Sequence, residues 1–141
     1  MIDGEDRILL LHTQEPSGGL RLWAMPGGGL EGGEDFATAA RREGFEETGL
    51  AFDLGPCVWT RRHRFLWDGR QIDQDERFFV AKVTSGAIRP SVPDDDVIGH
   101  RWWTLDEITK SNELFTPRRL ATLLDSILRG EYPQQPFDCG T

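Results

Sequence analysis

The sequence predicts an α/β protein: a mixed β-sheet with helices on both faces. Three observations point that way. Short apolar runs bounded by glycine, proline or aspartate recur at strand spacing along most of the chain. The stretch from Asp35 to about Gly49 and residues 117–129 instead carry helix-forming sequence. The first of these helices stands between strand-like runs, the order found where helices cover a sheet. A chain of 141 residues suffices for one domain with a real core, and a single domain over 1–141 is expected.

Arg7-Ile8-Leu9-Leu10-Leu11 is a short apolar run, the mark of a strand buried on both faces. Pro16 and Gly18-Gly19 break it into a loop, and Leu20 to Trp23 forms a second, shorter strand before Met25-Pro26-Gly27-Gly28-Gly29. Asp35 suits a helix N-cap, Ala37 to Arg42 favour helix, and Gly49 suits its end. Cys57 to Trp67 reads as extended, Asp68-Gly69 as a hairpin turn, and Glu76 to Val83 as the returning strand. Gly86 to Asp96 carries two prolines and three consecutive aspartates, a loop composition. Val97 to Trp103 reads as a strand and Leu105 to Lys110 as a short helix. Pro117 to Arg129 predicts a longer helix with proline in its first turn and an apolar stripe of Leu120, Leu123, Leu124, Ile127 and Leu128. A loose tail is expected from about residue 131, which holds Pro133 and Pro136.

Composition excludes several function classes. No apolar run approaches the length of a membrane span and no basic-then-apolar leader opens the chain, so no membrane partner is expected. Cys57 and Cys139 are far apart and are the only cysteines, which argues against a disulfide framework and for a cytoplasmic protein. His12, His63 and His100 are too scattered for a histidine-rich metal site. No Gly-x-Ser-x-Gly elbow supports serine-based acyl transfer. A net charge of −8 argues against a nucleic-acid polymer as partner. A homodimer is compatible with all of this.

The chemistry concentrates on the first helix. At about 100° per residue, Ala37, Ala40, Gly44 and Thr48 share a small-residue face. Glu43, Glu46 and Glu47 lie beside it, within an arc of roughly 100°. Carboxylates about 6 Å apart repel by about 3 kcal/mol per pair at an effective dielectric near 20. An exposed helical ion pair returns only about 0.3–0.5 kcal/mol, so Arg42 alone cannot balance the cluster. Such a face calls for divalent cations, and all-oxygen ligands suit Mg²⁺ or Mn²⁺ rather than zinc. The plain alternative is a solvated acidic face on a surface helix.

The spacing Gly28, Glu34, Arg42-Glu43, Glu46-Glu47, Gly49-Leu50 closely resembles the signature of the Nudix hydrolases, which cleave nucleoside diphosphates linked to another group. The likeness is sharp over Leu22 to Leu50 and diffuse from Ile8 to about Ile127. It implies a three-layer α/β/α sandwich around a mixed sheet. Its first strand would be short, because Met1-Ile2 supplies only the end of it, unless the start is placed late in the gene. It implies attack of water on phosphorus, with Glu46 and Glu47 as metal ligands and Glu43 as a third ligand or the general base. The main-chain carbonyl of Gly28 would be a further ligand, glycine there allowing positive φ and close approach. Arg42 would orient a glutamate, and Glu34 would pair with Arg42. Gly44 departs from the family's bulky aliphatic residue, and is expected to make room for a large neighbour such as a tryptophan. Members often recruit one more carboxylate; here the candidates are Glu76 and the run Asp94, Asp95 and Asp96, whose plain alternative is a surface position.

For the substrate's organic half, strand alternation puts Trp59, Arg61, His63, Phe65 and Trp67 on one face. Aromatics with cations suit a base and phosphates, though an ordinary half-buried strand face gives the same pattern. Trp23 is a further candidate, against the glycine loop or in a base pocket. The expected activity is Mg²⁺-dependent hydrolysis of a pyrophosphate bond in a small nucleotide. Nucleoside triphosphates, including modified deoxy forms, rank first, ADP-ribose and nucleoside diphosphate sugars second, dinucleoside polyphosphates third. The rival is a catalytically silent nucleotide-sensing module on the same fold, against which the complete set Glu43, Glu46 and Glu47 argues.

Overall fold

The computed structural model describes residues 1–141. In chain order its elements are β1 (Ile8–Gln14), β2 (Arg21–Ala24), α1 (Phe36–Thr48), β3 (Ala51–Trp67), β4 (Arg70–Ser85), β5 (Val97–Trp103), α2 (Leu105–Lys110), β6 (Phe115–Thr116), α3 (Leu120–Leu128) and β7 (Phe137–Asp138). The strands form two groups, ordered β5-β1-β2-β6 and β4-β3-β7. Pairing is antiparallel except for β2 with β6 and β3 with β7, so the sheet is mixed as expected. Ile2 stitches the groups together, bridging Ile8 on one side and Lys82 on the other. Those two bridges of one residue are all that forms of the anticipated short first strand.

Ile8, Leu9, Leu10 and Leu11 are all buried, as a strand covered on both faces requires. Ile8 and Leu10 join a core with Trp23, Val58, Trp59, Trp103 and the apolar stripe of α3. Alternation sends Leu9 and Leu11 to the opposite face. Helix α1 begins at Asp35, whose carboxylate accepts the Thr38 amide at 2.7 Å, and ends at Gly49 in the left-handed region with φ 69. The hairpin turn is Asp68-Gly69, both residues at positive φ, which sets the β3–β4 register from Trp67↔Arg70 back to Trp59↔Phe78.

Three expectations need correction. Helix α3 starts at Leu120, not Pro117: Thr116 still pairs with Ala24, and 117–119 turn the chain from strand into helix. Gly44 makes room for Phe52 and Met1, not a tryptophan; a Cβ there would stand 2.8 Å from each. The tail is not loose. Pro133 and Pro136 precede the pairing segment, after which Phe137–Asp138 run beside Trp59–Thr60 and the Cys139 amide donates to Thr60 O at 3.0 Å. Cys139 is only 1% exposed and packs in the core as a small apolar filler. Both cysteines are free thiols.

Candidate active site

One guanidinium organises the acidic face of α1. Arg42 Nε and Nη2 reach Glu34 at 2.9 and 2.8 Å, and Nη2 also donates to Gly29 O at 2.8 Å. Its Nη1 donates to Glu43 Oε1 at 2.9 Å and Glu46 Oε2 at 3.2 Å, and lies 3.4 Å from Glu31. Four carboxylates from the loop and the helix therefore meet one planar cation, whose fork suits such geometry. Glu34 in turn accepts the Glu31 amide at 2.7 Å, and these two partners, Arg42 first, hold its carboxyl below the usual range.

Glu47 is different. Its Oε2 accepts the Gly27 amide at 2.8 Å and no cation touches it. Burial pushes its carboxyl up to about 7 against the Gly27 hydrogen bond, and Glu43, Asp94 and Glu46 add repulsion. Gly28 lies against the same cluster: a Cβ there would stand 2.5 Å from the Glu43 carboxylate oxygens. Close approach, rather than a positive φ, is thus what requires glycine at 28.

The donor set fits a hard divalent ion in chemistry, since every side-chain donor is a carboxylate oxygen and Glu47 lacks a counter-charge. The side chains do not converge as they stand: no three His, Cys, Asp or Glu groups are gathered closely enough to hold an ion. Glu43 and Glu46 turn to Arg42 and Glu47 to Gly27, so chelation needs these flexible side chains to swing.

Between β2, the β3–β4 hairpin and β6 opens a cavity of about 580 Å³. Its lining includes Met25 and Asp94, neighbours of the Gly27–Glu47 contact, and reaches along the hairpin to Arg61 and Glu76. The register makes its wall a ladder of cross-strand pairs, Arg61↔Glu76, His63↔Gln74 and Phe65↔Ile72, all six lining the cavity.

The NUDIX domain family model matches residues 1–124. The chain belongs to the NUDIX family. It is similar to the phosphatase NudJ of Shigella boydii, 32% identical over 118 residues that cover 83% of this chain and 72% of that one. It is 36% identical over 95 residues to an RNA pyrophosphohydrolase of Dinoroseobacter shibae, 57% of this chain and 56% of the relative. Among solved structures, a NUDIX hydrolase from Nitrosomonas europaea superposes with a TM-score of 0.66 at 26% identity, covering 94% of this chain and 88% of that one. An ADP-ribose pyrophosphatase from Streptococcus suis shares the fold, with a TM-score of 0.60 at 21% identity over 95% and 91% of the two chains. The protein is a Nudix hydrolase, an enzyme of pyrophosphate chemistry.

In this Nudix chain Gly28, Glu34, Arg42, Glu43, Glu46 and Glu47 lie together, while Arg61, His63 and Phe65 line the adjoining cavity. Trp23 lies in neither place. Leu22 and Ala24 face the cavity, so alternation turns Trp23 into the core, stacked on His12 at 4.3 Å with its Nε1 donating to Glu113. Glu76 pairs with Arg61, and Asp96 accepts Trp67 Nε1 at 2.8 Å, so neither candidate extra carboxylate contacts the motif glutamates; Asp94 is the member of that run whose charge reaches Glu47. Sequence reading did not single out Gln74 and Ile72, although a two-residue turn at Asp68-Gly69 fixes them opposite His63 and Phe65.

Proposed function

We propose that this Nudix hydrolase cleaves a pyrophosphate bond in a small nucleotide with Mg²⁺, Mn²⁺ serving as a substitute. The observation that carries the reading is the crowd of carboxylates around one arginine, with Glu47 half-buried and lacking a cation, beside a nucleotide-sized cavity. Glu46 and Glu47 would hold the ion with the Gly28 carbonyl, and Glu43 would be a third ligand or take the proton of the attacking water. Bound there, the ion supplies cancellation of phosphate charge and acidification of water. Arg42 and Glu34 act by positioning: the guanidinium fixes where Glu43 and Glu46 stand, and Glu34 fixes the guanidinium.

A cavity of this size favours one nucleoside over two, which supports nucleoside triphosphates, ADP-ribose and nucleoside diphosphate sugars before dinucleoside polyphosphates, and nucleoside triphosphates are the first to test. The net charge of −8 supports a small ligand over a nucleic-acid polymer. The test is a panel of these nucleotides with and without Mg²⁺, with products read by mass and oxygen-18 position. Metal-dependent release of phosphate, pyrophosphate or a mononucleotide is expected. Binding across the panel without turnover would overturn the proposal.

A further inference from the structure

The cavity wall holds a charged rung that the chemistry of bond cleavage leaves unused. Arg61 is 4% exposed, and its Nε donates to Glu76 Oε2 at 2.5 Å while Nη1 donates to Thr116 Oγ1 at 2.7 Å. Two strands and the β6 segment thus clamp one guanidinium. Its charge is cancelled on the spot, so Arg61 is poorly suited to holding a phosphate, contrary to the simplest reading of a cation in a nucleotide site. The Glu76 carboxylate is 26% exposed, and its Oε1 makes no bond within the chain. On the next rung, His63 and Gln74 line the cavity, and the His63 ring lies 4.6 Å from that of Phe65. A planar heterocycle packed on those rings would lie one same-face rung from Glu76.

We propose that Glu76, positioned by Arg61, is the specificity-determining residue for the nucleobase, selecting bases that carry an exocyclic amine, and is not a metal-binding carboxylate. An ionised carboxylate only accepts hydrogen bonds. It rewards an amine and is penalised by a carbonyl at the same point, since two acceptors then face each other in a partly desolvated wall. This inference rests on the nucleotide reading above and deepens it.

The decisive comparison is cytidine monophosphate against uridine monophosphate, which differ by amine against carbonyl. Isothermal titration in EDTA measures their binding to the whole chain without metal or turnover. The wild-type protein is expected to bind the cytidine form about 10- to 100-fold more tightly, the worth of a hydrogen bond to a charged group. Glu76→Gln offers donor and acceptor alike, and should collapse that ratio while leaving Mg²⁺ binding, titrated separately, unmoved. Should Glu76→Gln leave Arg61 uncompensated and the fold lost, the double variant Arg61→Met with Glu76→Gln removes both charges and should show the same collapse. A wild-type protein indifferent to the two bases overturns the assignment, as does a variant that keeps the preference or weakens Mg²⁺ binding. Loss of the broader nucleotide reading has a separate signature: no nucleotide turned over with Mg²⁺.

Discussion

The Glu47 carboxylate accepts the Gly27 amide at 2.8 Å and meets no positive charge, while its two fellow glutamates share Arg42. The molecule therefore carries an uncompensated, half-buried acid at the point where the acidic helix meets the glycine loop. Function and stability pull in opposite directions there.

Glu47→Gln should raise the melting temperature in metal-free buffer, by a free energy on the order of 1 kcal/mol once solvent screening is allowed for. It should also remove most of the turnover. Adding Mg²⁺ should raise the wild-type melting temperature and move that of the variant much less. Calorimetry with and without EDTA measures all of this; a variant that melts lower in EDTA would contradict the picture.

Two glycine-to-alanine changes should fail in opposite ways. At Gly28 the new Cβ meets only the flexible end of Glu43, so the fold should lose less than about 0.5 kcal/mol while kcat/KM falls about 10- to 100-fold as that carboxylate is displaced. At Gly49 the residue sits at φ 69 with the Arg89 backbone carbonyl carbon 3.0 Å from the Cβ position. Backbone cannot step aside, so about 2 kcal/mol or more of stability should go. Urea midpoints and initial rates on both variants separate the cases.

Arg42→Lys should behave as a loss, not a conservative change. An ammonium cannot reproduce five directed N–H groups bonding Glu34, Glu43, Glu46 and the Gly29 carbonyl together. Stability should drop, and the Mg²⁺ concentration for half-maximal rate should shift. An unshifted metal titration would remove Arg42 from its positioning role.

Acid should weaken the fold partly through His63. Burial first, then Arg61 and Arg118, hold its imidazolium below the usual range, with Glu76 opposing. The unfolded chain then takes up this proton at a higher pH than the folded one, so stability falls as pH drops from about 6.5 toward the folded value, then levels. His63→Gln should flatten that part of the curve of denaturant midpoint against pH. An identical slope in wild type and variant would assign the effect elsewhere.

Much of this was legible because local chemistry and fold agreed. Asp35 and Gly49 mark the ends of α1 to the residue, Asp68-Gly69 turns the hairpin, and period-two alternation puts Arg61, His63 and Phe65 on one cavity wall. What misled depended on contacts distant in sequence. Trp23 is as aromatic as any pocket residue, yet its place in the alternation of a four-residue strand sends it inward. The tail carries prolines and glutamines like a disordered end, but Thr60 offers its carbonyl and the core a Cys139-sized space. The pairing of Arg42 with Glu34 and with a motif glutamate followed from the motif; that it would also take Gly29 O and Glu31 and leave Glu47 out did not, because side-chain rotamers are not written in spacing.

The turn at Asp68-Gly69 has a consequence for how such an enzyme diversifies. Adding one residue there could slip β4 by one position against β3, which would turn Ile72, Gln74 and Glu76 away from the cavity while leaving α1 untouched. The cavity wall and the acidic helix thus belong to separate elements, and an edit at the hairpin tip reaches the first without disturbing the second.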